Sequence, residues 1–172
     1  MSDTDLEARL SALEEAVARL SAQEAVGQAT LPQPTQGELF WALDGLEARA
    51  PKGAVLYTGS VTTPAGSVVR WQYAQTAPDL LADDWSEQAG RLAALGNPVR
   101  LRILHAVMHG ANSAARIAEE VEVGTSGQVY HHLKELTAAG WLSSPKRGHF
   151  EVPASRVVPL LAVLLAAGTP SA

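Results

Sequence analysis

The side chains best suited to chemistry in this sequence lie between residues 125 and 149. In the stretch TSGQVYHHLKEL, Val129, Leu133 and Leu136 recur at helical spacing, so the other face of this predicted helix carries polar and basic groups. On such a face Gln128 can form paired hydrogen bonds with adenine, and Lys134 suits guanine or a phosphate. A tight basic KRG turn follows, which suits phosphates or a minor groove. The candidate DNA contacts are Thr125, Ser126, Gly127, Gln128, Tyr130, His131, Lys134, Lys146, Arg147 and His149.

These groups need helices and a hairpin to position them. A helix begins at the predicted cap Asn97 with Pro98 in its first turn, and a shorter helix follows a cap at Asn112 or Ser113. A turn at Val123 and Gly124 leads to the helix that carries the polar face, which is capped by Thr125 and closed by Gly140. The buried positions of the first two helices are predicted to be Leu101, Leu104, Val107, Met108, Ile117 and Val121.

The strand-like runs WLSSP and HFEVP flank the KRG turn, and the apolar helix SRVVPLLAVLLAAG ends the pattern. This order of elements predicts a winged helix-turn-helix, in which the second helix of the motif enters the major groove. The final helix is apolar nearly all round, so it needs a partner to cover it. His132 is predicted to lie at the edge of the core, unlike its outward-facing neighbour His131.

The segments LGNPVRLRIL and VYHHLKELTAAGWL, followed by the KRG turn, resemble ArsR-type winged-helix transcriptional regulators over about residues 86–167. The resemblance implies a cytoplasmic homodimer that binds operator DNA, usually as a repressor that an effector releases. It also implies dimerisation through the helix at about 79–95 and the terminal helix at about 155–167. On the terminal helix the expected dimer contacts are Leu160, Leu161 and Leu164.

The sequence departs from the metal-sensing members of that family. It contains no cysteine, and the terminal helix offers none of the acidic or histidine ligands of the zinc-sensing members. His105 and His109 have a spacing that can hold zinc, but no third ligand is evident, and histidines at the edge of a helical core are commoner. We therefore expect no metal and no cofactor, and any effector to be a small apolar molecule.

Catalysis finds little support in the sequence. Asp83 and Asp84 are adjacent on a predicted helix and point about 100° apart, which is poor geometry for shared acid–base work. No glycine-rich phosphate loop is present, and no nucleophile motif surrounds Ser60, Ser67 or Ser126. We therefore predict that the protein is not an enzyme.

The amino-terminal segment, residues 1–26, has apolar residues at alternating spacings of four and three. This heptad pattern predicts a coiled coil that contributes to dimerisation, and the alternative is a single amphipathic helix lying on its own domain. A linker at 27–37 contains two prolines and separates this segment from the rest. The heptad positions are Leu6, Leu10, Leu13, Val17 and Leu20.

Residues 38–78 predict an accessory segment made of a short helix, with Leu39, Phe40, Leu43 and Leu46 as its apolar stripe, and a β-hairpin. Residues 79–172 then form the winged-helix domain, beginning with one long helix that ends at Gly96. Aromatic residues are concentrated around the accessory segment, where they form either a satellite core or a pocket for an apolar effector. The candidate pocket residues are Trp41, Tyr57, Trp71, Tyr73 and Trp85.

Charge is unevenly distributed along the chain. Residues 1–85 carry 5 Lys or Arg and 12 Asp or Glu, a net charge of −7, whereas residues 86–172 carry 8 and 6, a net charge of +2. The start of the chain is unlike a signal peptide, and no apolar run approaches the roughly 20 residues of a membrane span. A mainly helical, cytoplasmic DNA-binding protein with small β elements is predicted. The alternative is a winged helix that binds a protein partner, because +2 is a modest charge for a DNA-binding region.

Overall fold

The structure, a computed structural model, describes residues 40–121 and 126–168. By internal packing the chain divides into two units, Met1–Asp44 and Gly45–Ala172. The predicted coiled coil and the linker lie outside the described residues, as do Thr125 and the predicted turn at Val123 and Gly124. The first described helix, α1, is Trp41–Glu47, shorter than predicted and without a buried residue.

The predicted β-hairpin is present. Strands β1 (Ala54–Thr62) and β2 (Val68–Thr76) pair in antiparallel register, with Tyr57 opposite Tyr73. The turn between them is closed by the hydroxyl of Thr63, which accepts a hydrogen bond from the backbone N–H of Ser67 at 3.1 Å. Thr63 is buried because of this turn, so the hairpin tip has a fixed shape.

The prediction of one long helix before Gly96 is wrong. The chain instead forms α2 (Ala77–Ala82), a 3₁₀ turn (Trp85–Gln88) and α3 (Ala89–Leu95). The interruption falls at Asp83 and Asp84, which both have extended backbone. The Asp84 carboxylate accepts a hydrogen bond from the backbone N–H of Ser86 at 2.9 Å, so it caps a new turn rather than continuing the old helix.

The helix-turn-helix core consists of α4 (Pro98–Met108), α5 (Ala114–Val121) and α6 (Ser126–Ala138). Asn97 caps α4 as predicted, since its side-chain oxygen accepts hydrogen bonds from the backbone N–H groups of Val99 and Arg100. The predicted buried stripe of α4 is partly wrong. Ile103 and Ala106 are buried, whereas Leu101 and Met108 are only half-buried, because helices pack on two sides of α4.

The wing is a small antiparallel hairpin of β3 (Ser143–Lys146) and β4 (His149–Glu151). Its strands are shorter than the runs WLSSP and HFEVP, because Trp141 and Leu142 are buried in the core instead of pairing in the sheet. An isolated bridge between Ser113 and His149 attaches β4 to the chain just before α5.

The terminal helix α7 (Ala154–Ala167) packs against two parts of the molecule. Leu160 belongs to the helix-turn-helix core cluster, while Val157 and Val158 are buried together with Val69 of β2. The hairpin therefore packs on α7 within the second unit. The predicted domain boundary between residues 78 and 79 therefore falls inside that unit. The hairpin before the boundary and α7 after it pack against each other.

Candidate nucleic-acid interface

Helix α6 separates an apolar inner face from a polar outer face, as predicted. On the inner face Val129 and Leu133 are 1% exposed and Leu136 is 0% exposed, so α6 is held firmly in the core. The outer face carries exposed side chains that include a hydrogen-bonding amide, a phenol, an imidazole and an ammonium group. These are Gln128, Tyr130, His131 and Lys134. Gly127, near the start of α6, is exposed as well.

Trp141, which the sequence pattern predicted only as part of a wing strand, fixes the carboxyl end of α6. Trp141 is 4% exposed, and its indole N–H donates a hydrogen bond to the carbonyl of Arg91 in α3 at 2.9 Å. The Arg156 guanidinium of α7 lies over the Trp141 ring, 5.5 Å from its centroid. Gly140, at φ 73°, provides the turn that brings Trp141 back to the core.

The two adjacent histidines of α6 differ in surroundings, in line with the sequence prediction. His131 is exposed, whereas His132 is half-buried and its Nδ1 has no hydrogen-bond partner among the described residues. Burial lowers the pKa of His132, and the nearby charges of His131 and Arg100 lower it further. His132 therefore favours its neutral form and contributes no fixed positive charge to the surface.

The basic turn of the wing is exposed. Lys146 and Arg147 are both open to solvent, and Gly148, at φ 74°, closes the tight turn between the paired residues Lys146 and His149. His149 is half-buried, since the bridge to Ser113 draws its backbone toward α5. The backbone N–H of Phe150 also donates to the carbonyl of Asn112 at 2.8 Å, which holds the wing against the start of α5.

The remaining surface of the motif is not uniformly basic. Helix α5 carries Arg116 but also Glu119 and Glu120, and all three side chains are exposed. Glu135 is likewise exposed next to Lys134. On the described parts of α5, α6 and the wing, positive charge available to a phosphate backbone thus comes from a few side chains.

The predicted dimer contacts on α7 differ in exposure. Leu160 is 2% exposed and belongs to the core of its own subunit, so it is not open to a partner. Leu161 and Leu164 are 37% and 42% exposed, and Leu165, which was not among the predicted contacts, is 83% exposed. The heptad residues of the amino-terminal segment lie outside the described residues.

The aromatic residues proposed for an effector pocket are only partly brought together. Tyr57, Trp71, Tyr73 and Trp85 line one cavity of about 530 Å³, and the rings of Tyr57 and Tyr73 are 5.7 Å apart. Trp41 belongs to the first unit and is 71% exposed. The cavity wall is not purely apolar, because charged side chains share it. They are Asp83, Asp84, Arg91 and Arg156.

His105 and His109 lie side by side on α4, with ring centroids 4.1 Å apart. The Nδ1 atom of His109 is 2.8 Å from the carbonyl oxygen of His105, so this nitrogen donates to the helix backbone. Within residues 40–121 and 126–168, no group of three or more His, Asp or Glu side chains is arranged to hold a metal ion. In the same residues no helix is long and apolar enough to cross a membrane.

A sequence profile of a helix-turn-helix domain family matches residues 95–142, well under half of the chain. The matched segment contains α4, α5 and α6 and ends at the entry to the wing. Together with the wing, this match shows a helix-turn-helix domain of the winged-helix type, and it indicates a DNA-binding regulator. Among curated proteins, none matches the chain.

Proposed function

We propose that this protein is an ArsR-like transcriptional regulator that binds operator DNA as a homodimer, acts as a repressor and is released by a non-metal effector. The observation that carries the proposal is the division of α6. The core side chains on its inner face are at most 1% exposed, and its outer face presents Gln128, Tyr130, His131 and Lys134. A helix fixed in this way can enter a major groove without rearranging the core.

In this proposal Gln128 reads adenine and Lys134 contacts guanine or a phosphate. Tyr130, His131 and the exposed Gly127 supply further contacts, and Thr125 and Ser126 remain DNA contacts predicted from the sequence. Lys146 and Arg147 of the wing contact phosphates or the minor groove, with His149 beside them. Glu119 and Glu120 on α5 would be repelled by phosphates, so Arg116 is the exposed side chain of this helix that is suited to contact the backbone.

The test of DNA recognition is selection of genomic fragments by the full-length protein at two salt concentrations. We expect an inverted repeat whose binding falls steeply with salt, because each contacted phosphate releases counterions. Lys134→Ala should lose about 1–3 kcal/mol at particular base pairs, whereas Arg147→Ala should weaken all sequences about equally. Lys52→Ala is the matched control, since it removes the same charge from an exposed site in the turn before β1.

Absence of enrichment at both salt concentrations, with partner binding that ignores Lys134, Lys146 and Arg147, would contradict the proposal. That outcome would favour a winged helix that binds another protein. The modest net positive charge of the domain is the observation that favours this second function.

The homodimer is proposed to use the heptad segment together with the exposed leucines of α3 and α7. Leu92 is 55% exposed and Leu165 is 83% exposed, so both side chains are accessible to a second copy of the chain. Sedimentation at low protein concentration tests this. Leu10→Glu with Leu13→Glu should shift the protein toward monomer, and Ser11→Glu, off the heptad seam, should not.

Repression would follow if the operator overlaps a promoter, and the location of the selected fragments tests that directly. The effector would be a small molecule with an apolar part, as the sequence suggested. Its binding site need not be the aromatic cavity, because that cavity carries charged side chains of both signs.

A further inference from the structure

An apolar cleft lies beside α4, and no pattern in the sequence predicted it. It has a volume of about 550 Å³, within the range of pockets that hold small ligands. Helix α4, helix α7 and the tip of the β1–β2 hairpin form its walls. The apolar part of the wall comprises Val61, Pro64, Leu101, Leu104, Met108, Leu160, Leu161 and Leu164.

The polar residues at this cleft are basic or imidazole groups. Arg102, His105 and His109 line it, and among the described residues no acidic side chain does. Arg102 is exposed and makes no hydrogen bond or ion pair with any residue of the described chain. Arg100, two positions earlier, instead donates to the carbonyl of Ala93 at 2.7 Å. An unpaired guanidinium beside an apolar surface is suited to a carboxylate, which it can bind through two parallel hydrogen bonds.

The stacked histidines support the same chemistry. Because Nδ1 of His109 faces the His105 carbonyl oxygen at 2.8 Å, the ring of His109 is fixed in orientation. The two rings lie 4.1 Å apart, tilted by 31°, on the same side of α4 as Arg102. The cleft thus combines an apolar interior with a rim on which the described side chains include no acid.

We propose that this cleft binds an amphipathic carboxylate, a molecule with an acyl or aryl body and one anionic head. The body would lie against the leucines of α7 and Met108 of α4, and the carboxylate would pair with Arg102. Leu104 and Leu160 line the cleft and also belong to the helix-turn-helix core cluster, so the occupant would touch side chains that support α6. The occupant could thereby change DNA affinity, and only that effect rests on the proposed function. The binding site itself does not.

The experiment is calorimetric titration of the full-length protein with decanoate, with decan-1-ol as the neutral probe of equal chain length. We expect one decanoate per chain, bound about tenfold more tightly than the alcohol, as a charge-assisted hydrogen-bonded pair allows. Arg102→Gln should reduce decanoate affinity to that of the alcohol. Arg116→Gln, which changes an exposed arginine on α5 away from the cleft, should leave it unchanged.

A second pair of variants separates the cleft from the rest of α7. Leu164→Glu places a carboxylate inside the cleft and should abolish decanoate binding, whereas Leu165→Glu, at the adjacent and more exposed position outside the cleft wall, should preserve it. Both variants are sedimented before titration, because the exposed leucines of α7 belong to the proposed dimer surface, and decanoate binding is compared at equal oligomeric state.

Equal affinity for decanoate and decan-1-ol, binding that survives Leu164→Glu, or no binding at all would overturn the proposal. If decanoate fails to bind and Leu164→Glu alone dissociates a dimer, the cleft is a subunit interface instead. If decanoate binds as expected but no DNA is enriched in the genomic selection, the carboxylate site stands and the proposed regulatory function fails.

Discussion

The helix-turn-helix core and the hairpin region bury their side chains to different degrees. In the core Ile103, Ile117 and Leu136 are 0% exposed, and their helices pack on several sides. In the hairpin region Val69 is buried with two valines of α7, but Val55 and Tyr73 remain 56% and 50% exposed. The first region is closed and rigidly positions a surface, whereas the second is open and leaves cavities along its contacts with the helices.

This difference separates two tasks within one unit. A helix that reads DNA gains from a closed core, because its outer face must hold a fixed position in the groove. A ligand site gains from incomplete packing, because the ligand itself supplies the missing contacts. Both cavities lie where the hairpin or α2 meets the helices, and the apolar cleft reaches the edge of the closed core at Leu104 and Leu160.

The largest expected effect comes from opening the closed core. Leu136→Ala should lower the free energy of unfolding by about 3 kcal/mol, because it removes a fully buried side chain from a packed site. Urea denaturation measures the loss, and DNA affinity should fall with it. Val55→Ala in the hairpin is the control and should change stability by about 0.5 kcal/mol or less. Equal losses for the two variants would remove the distinction between the regions.

The contact of the hairpin with α7 is expected to be the next most sensitive. A Cβ added at Gly59 would lie 2.8 Å from Cγ1 of Val158, closer than real side chains approach. Gly59→Ala should therefore cost about 1–2 kcal/mol of unfolding free energy by urea denaturation, with DNA affinity little changed. Gly90→Ala in α3, where a Cβ meets nothing within 4 Å, should be neutral or slightly stabilising. A loss of DNA binding in Gly59→Ala with unchanged stability would show that the hairpin acts on the DNA-binding surface.

A smaller loss of stability is expected from removing the hydrogen bond that Trp141 donates to α3. Trp141→Phe keeps an aromatic ring but removes the N–H that donates to the Arg91 carbonyl, so thermal unfolding should show a loss of about 1 kcal/mol. Trp85→Phe is a matched control, since the Trp85 indole N–H bonds to the Leu80 carbonyl at an exposed site. Its stability should change less, because water can replace that bond. The opposite ranking would mean that the Trp141 bond does not hold the two helices together.

The smallest expected effect is a pH dependence from His132. Because its pKa is lower in the folded protein than the ordinary value of 6.5, the unfolded chain takes up the proton more readily. Its contribution to stability is complete above about pH 6.5 and decreases as the pH falls through that value. Urea denaturation from pH 8 to 5 should show a decline that His132→Gln reduces and His131→Gln retains. An unchanged pH profile in His132→Gln would place the effect elsewhere.

Much of the closed core could be predicted from local patterns. The helical spacing of Val129, Leu133 and Leu136 predicted the inner face of α6, and Asn97 with Pro98 predicted the start of α4. The alternation of the hairpin strands predicted their pairing as well. In each case a local signal and the tertiary environment demand the same residue type, so the pattern is sufficient.

The predictions that failed depend on contacts between distant residues or on competing local bonds. Asp84 caps a 3₁₀ turn instead of lying within one long helix, since its carboxylate bonds to the Ser86 backbone. Trp141 leaves the wing strand because a carbonyl 50 residues away accepts its N–H. The sequence left open whether the aromatic residues form a satellite core or a pocket, and Arg156, which lines the same cavity, comes from a distant part of the chain.

The sequence by itself determined the order of the elements, the two faces of α6 and the basic turn, because periodicity, capping residues and turn residues act over a few positions. Only the tertiary structure decided which leucines of α7 are open and where the apolar cleft lies. Leu160 and Leu161 are adjacent and chemically identical, yet Leu160 is 2% exposed and belongs to the core, whereas Leu161 is 37% exposed. The helices and the hairpin that surround α7 make that difference, and they come from segments far apart in the chain.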